Sequence, residues 1–490
     1  MHRLALPALA LAAVAALAAG CATNPVTGRS DLAFMSEANE KRIGQQMHVQ
    51  ITQVMGVYDD PRLQEYVQQL GEKLAKQSHR PDLDWKFTVV DTDDVNAFAT
   101  PGGFVYVSRG LLPYLASEAE LAAVLGHEIG HITARHSVQR QSQSTVAGVL
   151  GVAAAIFTGQ PAVADLTSIA GQAVISGYGR EQELEADRLG AEYLVRTGYD
   201  PEAIIRVVRV LKEQELFERD RARAEGRSPR IYHGVFSTHP DNDRRLREAV
   251  VAAEKVEGRA ATRHDNAEAF LQRIDGLAFG SSRRQGMVRD NRFYHADFQF
   301  TMAFPQGWQV QNDPNRLLAV SPDRHHIMQL TAQAPPAGLT NPRDFTLRAL
   351  GDRRLDRSEN LTINGLDAFT TIVRGDTSPF GNTSNVRYVV IHYNNLMWIL
   401  KGASRAGTPA PEGDVLFTST ARTFRQLRSD EFRLAEPNRL RIVRAQPGTT
   451  MQDLATRSPL TRYAVEQHRL FNGLYPSGEP EPGALVKVVR

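Results

Sequence analysis

The stretch "VLGHEIGHITARH", residues 124–136, contains His-Glu-x-x-His within an apolar run. On a helix, His127 and His131 are four residues apart and project from one face, about 40° apart around the axis. Two imidazoles so placed can bind one Zn²⁺ at about 2.0–2.1 Å. Glu128 sits about 100° round from His127, the placement of a general base rather than of a ligand. His136 falls on the opposite face if the helix is continuous, and takes no role. Chance alone yields such a five-residue pattern in a chain of this length on the order of a few per cent of the time. Zinc chemistry therefore has to be supported from elsewhere in the chain.

A catalytic zinc takes three protein ligands and keeps a fourth position open. Candidates for the third lie in "SGYGREQELEADRLGAEYLV", residues 176–195. On a helical wheel, Glu181, Glu185, Arg188 and Glu192 share a charged face that reads as solvent. Glu183 and Asp187 share the other face with Leu184, Gly190, Ala191 and Leu194. A buried carboxylate without a partner is costly, so both need one. Zinc for Glu183 and the free N–H of a ligand histidine for Asp187 would serve. The bland alternative is a buried pair with an arginine such as Arg180.

The whole chain has 490 residues, which suggests roughly three domains. Basic and acidic residues nearly balance, at 57 and 55, so no concentrated positive face argues for nucleic acid. Met1-His2-Arg3 is a short basic segment, and Leu4 to Ala19 is nearly all Leu, Ala and Val. That is a signal-peptide pattern rather than a membrane span. It ends in "LAAGC", residues 17–21, similar to a bacterial lipobox with Cys21, the chain's one cysteine, as the lipidated residue. Ala18 departs from the usual Leu. Ala22 after the cysteine resembles the outer-membrane sorting pattern, with the protein facing the periplasm.

From residue 37 to about 276 the pattern is mainly helical with a small sheet. "WKFTVVD" (85–91) and "GFVYVS" (103–108) read as strands, and Ser117 with Glu120 reads as a capping box opening the motif helix. "TVAGVLGVAAAIFTG" (145–159) reads as buried helix in preference to a lid that brushes the membrane. Strand patterns dominate residues 285–430, predicting a separate α+β domain. Residues 437–490 read as a β-α-α-β unit, with "TMQDLA" (450–455) opening a helix.

Four stretches in order carry a resemblance: "NAFATPGGFVYVSRGLL" (96–112), "HEIGH" (127–131), "ELEADRLG" (183–190) and "STHPDNDRRL" (237–246). Over roughly 31–255 the chain resembles the zinc metalloendopeptidase family of HtpX, Oma-type and CAAX prenyl endopeptidases, and within it the soluble periplasmic lipoprotein branch. The resemblance implies a gluzincin-type domain in which Glu183 is the third ligand. It also implies that His239 lies near the metal, as oxyanion stabiliser or fourth ligand, with Arg245 in support. "FPQGW" (304–308) within 285–430 resembles the PsbP/Mog-like fold, and the last unit resembles a LysM module.

These observations predict an α+β multidomain protein: signal peptide 1–20, lipidated tether 21–36, peptidase domain 37–276, an α+β domain 285–430 and a LysM-like module 437–490. One Zn²⁺ on His127, His131 and Glu183, with Glu128 as base and Asp187 orienting a histidine, would hydrolyse peptide bonds. The family implies misfolded or misassembled envelope proteins as substrates. "GFVYVS" would be an exposed edge on which a peptide adds as a strand, with Asn96, Gly103, Phe104 and Val105 lining it. The lipid would supply membrane attachment and the LysM-like unit a contact with peptidoglycan. The rival readings are a chaperone-like or peptidoglycan-binding factor with a structural zinc, and a zinc amidase acting on cell-wall peptides.

Overall fold

The computed structural model describes residues 21–140, 178–229 and 264–490, apart from residues 24, 27, 29, 33–34, 228, 314–315 and 406–409. The signal segment 1–20, the stretch 145–159, His239 and Arg245 lie outside the described residues. Two compact units divide the chain. One runs to Leu277 and takes in Arg439–Arg490, and the other is Ala278–Asn438. The mixture of helix and sheet expected from the sequence is present, and several separate sheets make it up. Cys21 opens a short strand, Cys21–Thr23, paired antiparallel with Ser30–Leu32. Among the described residues no helix is long and apolar enough to cross a membrane.

The first unit begins with α1 (Glu37–Met55) and α2 (Pro61–Ala75). Helix α2 buries Leu63, Val67, Leu70 and Leu74, the stripe that its sequence spacing requires. A three-stranded sheet follows: β1 (Lys86–Val90), β2 (Ala97–Thr100) and β3 (Phe104–Ser108). The spatial order places β3 in the middle, parallel to β1 and antiparallel to β2. Helix α3 (Glu118–Thr133) carries the motif and is buried from Ala119 to Thr133. A helix apolar on nearly every side belongs in a core, and α3 is the one the others surround. Its neighbours are α2, β2, α4 (Arg180–Arg196), α5 (Ala203–Ala224) and α6 (Ala267–Ile274).

The start of α3 is fixed by side chains. Ser117 Oγ accepts from Glu120 N and donates to Asp265 Oδ1. Glu120 reaches back to the N–H of Ala116 rather than to that of Ser117, so the predicted box closes one residue early. Arg206 of α5 donates to the other Glu120 oxygen at 3.1 Å.

The second unit is built on a seven-stranded antiparallel sheet. Its strands are β4 (Gln309–Asp313), β5 (Arg316–Val320), β6 (His326–Gln333), β7 (Leu355–Ile363), β8 (Leu366–Thr377), β9 (Thr383–Tyr393) and β10 (Leu396–Ser404). They run in the order β4-β5-β6-β10-β9-β8-β7. Helices α7 (Pro342–Leu350) and α8 (Ala410–Arg422) pack on it; α8 covers a core that includes Phe300, Trp308, Trp398 and Phe424, and α7 a smaller one of Phe345, Val390 and Met397.

Arg439–Arg490, which the sequence reads as a unit of its own, groups with the first unit. It comprises β11 (Asn438–Arg444), α9 (Met451–Thr456), α10 (Ala464–Phe471) and β12 (Leu485–Val489), with β11 and β12 antiparallel. Thr450 and Asp453 form the expected capping box. The Phe471 ring meets Tyr114 edge-on, and Tyr475 donates to Asp220 of α5. Lys487 of β12, 3% exposed, donates to the carbonyl of Leu115 at 2.7 Å, just before α3.

Burial pulls the Lys487 ammonium down to about 7, and the Glu120 carboxylate opposes the shift only in part. Below pH 7 the ammonium is charged in both folded and unfolded chains, and its burial penalty is felt in full. Between pH 7 and 10.5 the unfolded chain binds the extra proton, so folding strengthens as pH rises. The stability advantage of Lys487→Met over wild type should therefore fall on the order of 1 kcal/mol per pH unit across that window. Urea unfolding at pH 7 and pH 9.5 measures it, and an advantage that does not change with pH contradicts the assignment.

Candidate metal centre

The centre depends on how closely α3 and α4 approach. A Cβ on Gly190 would lie 3.1 Å from His127 N and 3.2 Å from the Gly126 carbonyl carbon, and one on Gly130 would lie 3.0 Å from the Ala186 carbonyl oxygen. Hydrogen in place of a methyl at these crossings lets the two backbones touch. Glu183, two turns before Gly190 on α4, then comes to rest beside the histidines of α3.

His127, His131 and Glu183 form the one group of three or more metal-ligating side chains found among the described residues, and all three are buried. His127 Nε2 and His131 Nε2 are 3.0 Å apart. The Glu183 carboxylate lies 3.6 Å from the first and 3.5 Å from the second. Tetrahedral bonds of about 2.0–2.1 Å would set ligand atoms roughly 3.3 Å apart, so the three donors fit a Zn²⁺ ion with little movement.

The outer nitrogens settle which lone pairs face the ion. His127 Nδ1 lies 2.8 Å from Asp187 Oδ1; a carboxylate only accepts, so Nδ1 carries the proton and Nε2 the lone pair. His131 Nδ1 lies 2.8 Å from His136 Nδ1, and His136 Nε2 lies 3.2 Å from Glu185 Oε2. With Glu185 ionised, His136 donates to it through Nε2 and accepts at Nδ1. His131 must then donate from Nδ1, which again leaves Nε2 as a lone pair. The hydrogen bond from His136 also holds the Glu185 carboxyl below its ordinary range. Tyr178 stacks on His131 with ring centres 3.8 Å apart, and its hydroxyl pairs with Ser137. Burial pushes the Tyr178 phenol well up, so it stays neutral.

Two expectations need correction here. His136 does not lie opposite the ligands, because α3 ends at Thr133 and Arg135 takes a left-handed φ of 57°. That turn resets the phase and brings His136 under His131. Arg135 is held there by donating to the Met35 carbonyl at 2.8 Å. Glu185, in consequence, is not a solvent residue but the partner of His136.

The substrate-strand expectation also fails. β3 is the central strand, with its hydrogen bonds taken by β1 on one side and β2 on the other. Phe104 and Val105 therefore cannot accept a further strand. Gly103 is a turn residue, with a φ of 102° and its carbonyl committed to Lys86 N. The outer edge of β1 is taken by Gln64, Gln68 and the Tyr58 N–H, which leaves β2 as the other edge strand, and Asn96 immediately precedes it. Asn96 Oδ1 is buried with no hydrogen-bond partner among the described residues.

Residues 61–252 match the model of peptidase family M48. The beta-barrel assembly-enhancing protease of Escherichia coli is 31% identical over 278 residues, 55% of this chain and 54% of that protein. The mitochondrial metalloendopeptidase OMA1 of Schizosaccharomyces pombe is 31% identical over 237 residues, 46% of this chain and 64% of that protein. The chain thus spans about half the length of the bacterial relative that it matches. A solved cyanobacterial PsbP from Synechocystis aligns with 29% of this chain and 95% of its own length, at 18% identity and a TM-score of 0.23.

The helix crossing predicts that Gly190→Val will lower stability by roughly 1–3 kcal/mol through overpacking and weaken Zn²⁺ binding with it. Gly190→Ala should do both to a lesser degree. Chemical unfolding and competitive chelator titration read the two effects, and wild-type values for the valine variant would contradict the crossing. The proton chains predict that Asp187→Asn and His136→Phe each weaken Zn²⁺ binding by about 10- to 100-fold. An unchanged affinity in the same titration would remove His136 from the site.

Proposed function

We propose that this chain, whose residues 61–252 match the model of peptidase family M48, is a zinc-dependent endopeptidase. The observation that carries the proposal is the convergence of two imidazole lone pairs and one buried carboxylate, with Glu128 beside them on the same helix. Zinc bound there would supply Lewis acidity toward the scissile carbonyl and the attacking water. His127, His131 and Glu183 would hold it. Asp187 and the His136–Glu185 pair fix the tautomers of the two imidazoles and aim their Nε2 lone pairs. Glu128, buried next to His127, takes the proton of the attacking water and returns it to the leaving amine. On the family resemblance alone, His239 would act near the metal as oxyanion stabiliser or fourth ligand, with Arg245 in support.

The peptide adds along the outer edge of β2, whose Ala97 lies beside His127 in one pocket. Misfolded or misassembled envelope proteins are the proposed substrates, a class in keeping with the bacterial relative, a beta-barrel assembly-enhancing protease. A lipid on Cys21 anchors the chain at the outer membrane facing the periplasm, as the N-terminal sequence suggests. Residues 285–430 are proposed as PsbP/Mog-like, and 437–490 as a LysM-like contact with peptidoglycan.

With an unfolded protein as substrate, Glu128→Gln should keep stoichiometric zinc and lose activity by about 10²- to 10⁴-fold. Glu183→Ala should lose tight zinc and activity together. Proteolysis by Glu128→Gln at the wild-type rate, or full zinc occupancy in Glu183→Ala, would overturn the assignment.

A further inference from the structure

The second unit holds a cavity of about 200 Å³, lined by strands of the seven-stranded sheet and by the strand Arg292–His295. Exposure separates its floor from its mouth. Phe293, His295, Leu317, Leu330 and Trp398 line it and are buried, whereas Arg284, Arg316 and Ala332 line it and are exposed. Strand register builds the apolar floor: Leu317 of β5 faces Leu330 of β6, and Trp398 of β10 faces Ala332 of β6. Phe298 meets the Trp398 ring edge-on, with centres 5.2 Å apart. The Trp398 indole N–H donates to the Tyr393 carbonyl at 3.2 Å, so the ring offers the cavity its apolar surface.

The one titratable side chain of the floor is neutral at neutral pH. His295 Nδ1 accepts from the Phe298 N–H at 3.3 Å, and burial pulls the imidazole down to about 4. The positive charge therefore stands at the mouth, on two guanidiniums that stay protonated at any ordinary pH. No carboxylate stands among the described lining residues. The turn that carries Arg284 is tied down. Gln285 Oε1 accepts from the Ser282 N–H at 2.9 Å, and Asn312 of β4 donates to the Gln285 and Gly286 carbonyls at 3.1 and 2.8 Å.

We infer that this cavity binds a carboxylate carried on an aromatic or branched aliphatic body. A void of about 150 Å³ takes one benzene ring, so this one has room for a ring and a short polar end. The floor takes the body by apolar burial and by ring contacts with Phe298 and Trp398. The guanidiniums at the mouth take the carboxylate through charge-assisted hydrogen bonds. A neutral polar end forfeits the second contribution, and a small anion without a body forfeits the first. A free small acid and the last residue of a polypeptide both present this group.

Calorimetry on the full chain tests the inference, with N-acetylphenylalanine, its carboxamide, N-acetylglycine and phenyl phosphate as probes. The phenylalanine acid should bind at least about tenfold tighter than its carboxamide and than the glycine acid. Arg284→Gln and Arg316→Gln, both at exposed positions, should each weaken the acid by roughly fivefold or more while the thermal midpoint of the free protein stays put. Ala332→Trp, which plugs the mouth from an exposed position, should abolish binding. No binding of the acid, equal affinity of acid and carboxamide, or undiminished affinity in folded Ala332→Trp would overturn the inference. Tighter binding of phenyl phosphate would overturn the choice of a carboxylate. A peptide ending in phenylalanine with a free carboxyl group separates the two sources. Affinity matching or exceeding that of the acid supports a chain end, and binding of the acid without the peptide supports a free small acid.

Discussion

Two helices cross at Gly126, Gly130 and Gly190 with no side chain between them. Each glycine costs helix stability, by about 1 kcal/mol against alanine. What the crossing provides is position. It sets Glu183 about 3.5 Å from two imidazoles that come from a different helix, 56 and 52 residues earlier in sequence. The carboxylate is fully buried beside both imidazoles. The fold thus holds a buried carboxylate at the point where two imidazole lone pairs converge. Every other part of the centre refines that arrangement.

Refinement comes from two proton chains of unequal length. His127 is oriented by one carboxylate, Asp187, placed one helical turn after Glu183. His131 is oriented through His136 by Glu185, two residues after Glu183. Helix α4 therefore supplies three carboxylates to one centre, one facing the donors and two acting through histidines. Hydrogen bonds at the far nitrogen of a ligand imidazole fix its tautomer and raise its basicity, so these contacts govern metal affinity without touching the metal.

The part of the site legible in the sequence was the part built on unbroken helices. Phase runs true along α3 and α4, so the wheel assigned His127, His131, Glu183 and Asp187 to inward faces where they are buried. It misplaced His136, because one non-glycine residue in left-handed conformation, Arg135, ends the helix and no local pattern announces it. It misplaced Glu185 for the same reason, since the burial of that residue depends on His136. The strand error had a readable cue. "FVYV" lacks polar alternation and all five residues of β3 are buried, which suits a central strand rather than an edge. In the second unit, the polar strand β7 escaped notice because most of its residues are exposed, so no apolar alternation marks it.

The chemistry of the centre depends on one coordination sphere. X-ray data collected on either side of the zinc absorption edge, from crystals of the full chain saturated with Zn²⁺, test it most directly. The prediction is a single anomalous peak about 2.0–2.2 Å from His127 Nε2, His131 Nε2 and a Glu183 carboxylate oxygen, with Asp187 and His136 on the far nitrogens. No peak between these three residues, or a zinc ion held by other ligands, would contradict it.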